Sequence, residues 1–561
     1  MGGSGSLGKP GRVPFDARRS IMATPRFPLI ASALLGATVF TGASASAAPQ
    51  ALGPPPVPAE NPITESKRIL GKALFWDEQL SSDSTVACGT CHIPSAGGSD
   101  PRLDMGSRHP GLDGVYGGAD DRFTSAGVRH HDSSGEAMAD PIKGFDAQVT
   151  GRRAPTMIGA AFFDDLFWDG RATSTFVDPQ TGLVSIPSGG ALESQSLGPI
   201  VSFVEMADEG RTWDDVIQKL EDVRPLALAE DLNPDLVAAL AASPDYPALF
   251  ATAFGDPAIT AERIAYALAT YQRTLHPDQT PWDLFQNGQT NALTSTQRQG
   301  MNTFLAAGNH CVDCHPPPLF SDGTYRNLGL RDIAEDSGRQ GFTGNFSDRG
   351  KFKVPTLRNV GLRKRFFHHG DPLFNSVFLG VFLYNGGAGF FTDNKDPILS
   401  QIFFSPAAAT SMQAFLEGGL TDPRVAAELP PFDRPTLRSE LGPIAVLSGT
   451  GRPGSGGIRP RIDAYCPPVP GAATFRVGVH DAMGGAAAFL EYSTNPIQYG
   501  GPTQLIHRTT LKGVGAGEGH ATWKTSLPDD PALVGTQMHF RWHIRDLGTS
   551  ARTRWATQTV L

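Results

Sequence analysis

Cysteine is scarce, with five residues in a chain of 561. That is too few for the disulfide framework that staples small secreted domains, so the fold must rest on ordinary cores. A surplus of basic charge is also missing: 47 Lys and Arg stand against 56 Asp and Glu, for a formal charge of −9. Residues 1–48 carry Lys9, Arg12, Arg18, Arg19 and Arg26 against Asp16, so the remainder is near −13. Such a balance argues against nucleic acid as a partner. Long apolar runs are absent as well. The stretch around Pro28–Phe40 is too short for a comfortable membrane span, and nothing later is longer, so the mature protein is expected to lack one.

What is present begins with a leader-like order. Met1 to Ile21 is rich in Gly, Pro and Arg without a core-forming pattern. From Met22 a short basic region with Arg26 precedes the apolar stretch, and small residues end at Ala45-Ser46-Ala47. This predicts an N-terminal extension and secretory signal over residues 1–48, the signal starting at Met22, and a periplasmic or otherwise exported product. About 510 further residues exceed one core and suggest three domains. A Pro-rich lead-in (49–60) is followed by helical spacing over Ile63–Phe75, Ala261–Leu275 and Ser295–Ala306. Residues 94–153 read as a long loop region. After a Gly/Pro linker at 448–460 the period changes to two: Met538, Phe540, Trp542 and Ile544 alternate with polar residues, as do Phe475, Val477 and Val479. The expected fold is multidomain, with two mainly α-helical domains (49–255 and 256–447) and a small all-β, sandwich-like domain at 461–561. The histidines of those strands are expected on a solvated face. Cys466 receives no role.

The other four cysteines form two identical patterns, Cys88-Gly-Thr-Cys91-His92 and Cys311-Val-Asp-Cys314-His315. A lone Cys-x-x-Cys could be a disulfide, a zinc site or a redox dithiol. A directly adjoining His, twice over, instead suits covalent c-type haem: two thiols meet two vinyl groups and the His becomes an axial iron ligand. Export agrees, because c-type haem is attached outside the bacterial cytoplasm.

Six further segments, in order across residues 60–445, sharpen the picture: GKALFWDEQLSSDSTVACGTCH (71–92), RAPTMIGAAFFDDLFWDGRA (153–172), LESQSLGPIVSFVEM (192–206), YQRTLHPDQTPWDLF (271–285), CVDCHPPPLFSDGTYRNLGL (311–330) and FKVPTLRNVGL (352–362). With them the chain resembles the bacterial di-haem cytochrome c peroxidase family, which includes MauG-type protein-modifying enzymes. The resemblance covers both haem regions and not the β region. It implies that Glu205 stands over the peroxidatic (first) haem with Gln195 and Pro199 in the same pocket. Cleaving the O–O bond of peroxide needs a proton moved between its oxygens, and a carboxyl with its pKa raised by desolvation can relay it. Trp168 resembles the family tryptophan between the haems. Arg171 could pair a haem propionate or make a plain surface ion pair. His130 and His131 lie in the loop where many members carry a histidine that ligates the peroxidatic iron at rest.

Two departures stand out. The Met that usually ligates the second, electron-transfer haem is replaced by Phe367 in Phe366-Phe367-His368-His369-Gly370, leaving His368 or His369 as substitute ligands or no sixth ligand. Arg153 occupies the position of an Asn associated with calcium; its fixed positive charge opposes a hard cation, and backbone carbonyls and waters are left as the ligands a calcium ion would use. The resemblance therefore implies a peroxidase that uses hydrogen peroxide and a small cytochrome c or cupredoxin donor. The alternative is a MauG-like oxidase acting on aromatic residues of a partner protein. It also admits a homodimer.

Overall fold

Thr64 accepts from the backbone N–H of Lys67 and so starts the Glu65–Trp76 helix. Its Leu70, Ala73 and Leu74 face the Ala261–Thr274 helix, whose Ile264, Leu268 and Tyr271 form the matching stripe. Gly71 permits the close crossing, since a Cβ there would overlap the carbonyl of Ala267. Trp76 Nε1 donates to the Tyr271 hydroxyl at 2.9 Å inside this first core. The chain returns to the same core at Val425, Phe432 and Leu437. The Ala261–Thr274 helix thus belongs with the first Cys-x-x-Cys-His segment, although its place in the chain suggests the second region. Complementary apolar faces, not proximity in sequence, decide where it packs.

This computed structural model describes residues 50–495, 502–546 and 548–561. The expected leader lies outside them. Among the described residues no helix is long and apolar enough to cross a membrane.

A second core surrounds the second motif. The Ser295–Leu305 and Pro406–Ala414 helices meet where Gly300 lies against the Ser411 carbonyl. Trp282, Phe304, Phe320 and Phe415 pack edge to face or tilted, with centroids 5.0–6.1 Å apart. Residues 94–153 are mostly irregular, as the composition predicts, but pinned by two short antiparallel pairs, Arg108–His109 with Arg122–Phe123 and Ala126–Arg129 with Ala147–Val149.

Two antiparallel sheets form the C-terminal β-rich region. One orders the strands Arg461–Asp463, Phe475–Met483 and Ala516–Thr525. The other is six-stranded and centred on Gln537–Asp546. Phe475, Val477 and Val479 share a core with Leu490, Phe540, Trp542 and Ile544. The Gly/Pro segment is no free tether: Ala445–Ser448 is already an edge strand on Trp555–Thr559, and Arg452 pairs with Arg552.

The expectation of a solvated polar face fails on the Phe475–Met483 strand. Arg476 and His480 are both buried, because that face lies against the loops of the first haem region. Arg476 pairs with Asp208, and the His480 ring stacks on Phe145 with centroids 4.9 Å apart. His539 is also buried and bonds the Thr557 hydroxyl at 2.8 Å.

Candidate active site

Each Cys-x-x-Cys-His segment is a tight turn ending in a histidine with one nitrogen committed. His92 Nδ1 lies 3.1 Å from the Gly98 carbonyl, and His315 Nδ1 lies 2.8 Å from the Phe320 carbonyl. A carbonyl only accepts, so the proton sits on Nδ1 and the Nε2 lone pair is left for a metal. Burial lowers both imidazole pKa values, which keeps that lone pair available at neutral pH. All four cysteines are unpaired. Burial pushes the Cys88, Cys91 and Cys311 thiols up to about 12 and Cys314 to about 11. They stand as neutral thiols, unlike the acidic thiol of a redox dithiol.

Both motifs open on one continuous cavity, predominantly apolar, whose wall includes Trp168, Gln195, Pro199 and Glu205. Arg153, Arg326, Arg331, Arg363 and Arg365 also line it, and the Nε atom of each is buried without a partner in the protein. An apolar slot with uncompensated guanidinium donors suits a flat hydrophobic macrocycle bearing carboxylates. The donor set therefore fits haem at both motifs, with His92 and His315 as the iron-facing groups. Arg102, which carries no recognisable signal in its loop, donates to Cys91 Sγ at 3.2 Å while chelated by Asp100.

Glu205 sits beside the first motif. Its N–H donates to Ser202 O at 3.0 Å, and its carbonyl accepts from Val128 N at 3.2 Å. Gly127 makes this approach feasible, because a Cβ there would run into the Val204 carbonyl and the Glu205 backbone. Burial raises the Glu205 carboxyl pKa; a hydrogen bond with Ser202 and the charge of Arg171 oppose the rise. Gln195 reaches the cavity from the Ala191–Leu197 helix, and Pro199 opens the turn after it. Trp168 Nε1 donates to the Arg153 carbonyl at 2.8 Å, and its own carbonyl accepts from Lys353 N at 2.8 Å, so it links wall segments of both regions. Arg171 lines the cavity, paired with Asp169 and stacked 3.7 Å over Phe167.

The histidines divide differently from expectation. Neither His130 nor His131 lines the cavity. His131 has both nitrogens engaged, Nδ1 by the Arg129 carbonyl (3.1 Å) and Nε2 by the Tyr465 hydroxyl (2.9 Å). His130 lies against Phe203, 3.6 Å from a Glu209 oxygen. His369 is buried with its ring between His368 Nε2 (3.2 Å) and Asp371 (3.1 Å), so it too is withdrawn from iron. His368 does line the cavity, stacked at 3.5 Å on Phe352 and edge-on to Trp168 at 6.3 Å. Phe367 lines it as well and offers no donor atom. At the weakly expected calcium position, the buried Arg153 guanidinium donates to the carbonyls of Phe123 and Asp100. Those two carbonyl oxygens therefore already have a hydrogen-bond donor.

Two histidines with Nε2 left free and four unpaired thiols on one cavity are the donor set that two c-type haems would require. Residues 65–291 match the family model described as di-haem cytochrome c peroxidase. Over those residues the chain is similar to that family of di-haem peroxidases. It is 31% identical over 323 residues to the cytochrome c peroxidase Ccp of Escherichia coli, covering 56% of this chain and 52% of that protein. It thus spans about half of that relative's length. It is 28% identical to the cytochrome-c peroxidase IdrP1 of Denitromonas iodatirespirans, over 74% of this chain and 97% of that protein. It is also 27% identical to the methylamine utilization protein MauG of Methylophilus methylotrophus, over 56% of this chain and 72% of that protein. The fold is shared with a crystal structure of a MauG-like protein associated with microbial copper homeostasis, with a TM-score of 0.50 at 21% identity, over 69% of this chain and 97% of that one.

Proposed function

We propose that this chain is an exported di-haem peroxidase that reduces hydrogen peroxide to water with electrons from a small cytochrome c or cupredoxin. Haem at the two motifs would supply the iron centres and electron storage that no side chain provides. The observation that carries the reading is Glu205, a cavity-wall carboxyl beside the first motif whose pKa is raised by burial.

Reduction of one peroxide consumes two electrons and two protons and releases two waters. A neutral carboxyl that gives its proton to the departing oxygen and regains one from the other oxygen lowers the barrier to O–O cleavage. An ordinary carboxylate stays ionised at neutral pH and gives back no proton; a desolvated one does. Gln195 and Pro199 narrow the same wall, with the Gln195 amide available to orient an oxygen. Trp168 supplies an aromatic path for electrons entering at the second motif, and its indole N–H is held by the Arg153 carbonyl.

The second reading is a MauG-like oxidase that removes electrons from aromatic residues of a partner protein. It is favoured by Phe367 at the place of a ligating methionine and by the added β-rich region. Export rests on the leader pattern ending at Ala47 and predicts a mature chain that begins just after it.

The test measures peroxide-dependent oxidation of a reduced small cytochrome by wild type and Glu205→Gln at matched haem content. A fall of about 100-fold or more supports the role of Glu205; an undiminished rate overturns it. Peroxide added to the fully oxidised protein separates the readings. A long-lived oxidising equivalent that then consumes a partner's aromatic side chain favours the oxidase, and rapid decay favours the peroxidase.

A further inference from the structure

Besides contacts at Ser82 and Arg224, the β-rich region meets the rest of the chain at the two segments that carry and support Glu205. The first is the Ala126–Arg129 strand with the loop after it. At one end, Gly127 and Val128 abut the Glu205 backbone. At the other, Arg129 pairs with Asp463 at 3.1 Å and lies 4.4 Å over the Tyr465 ring. Tyr465 also donates to His131 Nε2, and Ala137 N donates to the Thr522 hydroxyl at 3.0 Å. The second segment is Ser202–Arg211. Three residues past Glu205, Asp208 is gripped by both terminal nitrogens of Arg476, which is 2% exposed. The segments are joined to each other by Glu209 N donating to the His131 carbonyl at 2.9 Å.

Arg476 and Tyr465 touch nothing in the cavity. Yet each closes a loop of contacts that runs through His131, Asp208 and Glu209 back to Glu205. A buried guanidinium that grips a carboxylate with two bonds has one low-energy geometry, so it transmits position rather than merely attraction. The polar face of the Phe475–Met483 strand, unsolvated despite its alternating sequence, has a job in this arrangement.

We propose that the C-terminal β-rich region is a clamp on the cavity wall beside the first motif, with Arg476 and Tyr465 as positioning residues that fix where Glu205 stands. The proposal rests on the peroxidase reading for the consequence of that placement, but not for the placement itself. Without the clamp, the Ser202–Arg211 segment keeps its contacts with Ser82 and Leu80 and loses its outer anchor. Glu205 then gains water, and its carboxyl moves back toward ordinary acidity.

The experiment uses the full-length, haem-loaded protein and compares wild type, Arg476→Met, Arg476→Lys, Tyr465→Phe and, as a control on the far sheet, Arg508→Ala. Backbone hydrogen exchange is read by mass spectrometry, alongside kcat, KM for a donor cytochrome and the pH profile of kcat. The clamp predicts exchange faster by about tenfold or more in residues 126–137 and 202–211 of Arg476→Met, with the rest of the first haem region unchanged. It also predicts a lower kcat at constant KM and an alkaline limb displaced to lower pH. Arg476→Lys should recover part of each effect, Tyr465→Phe should show a milder version, and Arg508→Ala none. Wild-type exchange in both segments of Arg476→Met overturns the proposal, as does acceleration spread evenly over the chain. Should Arg476→Met not fold, Tyr465→Phe decides by the same two criteria. If wild type lacks peroxide turnover but the localised exchange pattern appears, the clamp stands and the peroxidase reading falls.

Discussion

The Tyr465 hydroxyl lies 2.9 Å from His131 Nε2, so a histidine 40 residues past Cys91 is bound to the β-rich region instead of facing the cavity. The Nδ1 proton of the same ring goes to the Arg129 carbonyl, which makes Nε2 the acceptor and the tyrosine the donor. Burial and the nearby charge of Arg476 lower the His131 pKa, in keeping with a neutral ring.

From this arrangement the ferric protein, as isolated, is expected to show a high-spin iron at the first motif by EPR, unchanged in His131→Phe. The substitution leaves the Tyr465 hydroxyl without its acceptor and should cost about 1–3 kcal/mol of stability in chemical denaturation. Conversion of the iron from low to high spin on this substitution would instead assign His131 to the metal.

Glu205 fixes the direction of a pH effect. Its pKa is raised, so the folded protein holds the proton over a range where the unfolded chain has lost it. The resulting penalty is absent below the unfolded carboxyl pKa, grows as pH rises toward the folded one, and is constant above it. Glu205→Gln should therefore gain stability relative to wild type on going from acid to neutral pH, measured by urea midpoints across pH. An advantage largest in acid would contradict the burial argument. Turnover that uses the neutral carboxyl should decline on the alkaline side of the same transition.

Gly127→Ala should be disproportionately harmful for one methyl group. The new Cβ meets backbone atoms of Val204 and Glu205, not a flexible side chain, so the segment bearing Glu205 must move. Overpacking of this kind costs about 1–3 kcal/mol. A lowered Tm together with lost peroxide turnover at full haem content is the expected pair, and wild-type values of both would show that the wall yields without consequence.

Arg153 should make the protein indifferent to chelators. Its guanidinium, with a pKa brought down to about 10 by burial, takes the carbonyls of Phe123 and Asp100. Dialysis against EDTA is expected to leave Tm and activity unchanged. Arg153→Ala, which strips a buried guanidinium from these acceptors, should lower stability by about 1–3 kcal/mol. A Tm that falls on chelation and returns with calcium would refute this.

Local patterns were the legible part. The helices at Glu65–Trp76, Ala261–Thr274 and Ser295–Leu305 follow from apolar spacing and Thr N-caps, and the strands at 475–483 and 537–546 from period-two alternation. What alternation could not reveal is which outer face is wet. Arg476 reads as a surface residue until Asp208, 268 positions earlier, is brought against it. The same limit applies to His130, His131 and His369. Their residue type admits iron ligation; the partners that take both nitrogens of His131 and His369, and the placement of His130 off the cavity wall, show up only in the folded chain.

Covalent chemistry and its immediate neighbours were thus written in the chain itself. Two thiols and a histidine within five consecutive residues need no distant help to present one face. The environment of Glu205, the withdrawal of His131 and the joining of both motifs in one cavity depend on contacts between segments hundreds of residues apart. These depend on which buried polar groups find partners once the cores have closed, and a desolvated charge or ring nitrogen is stable only where the assembled fold supplies one.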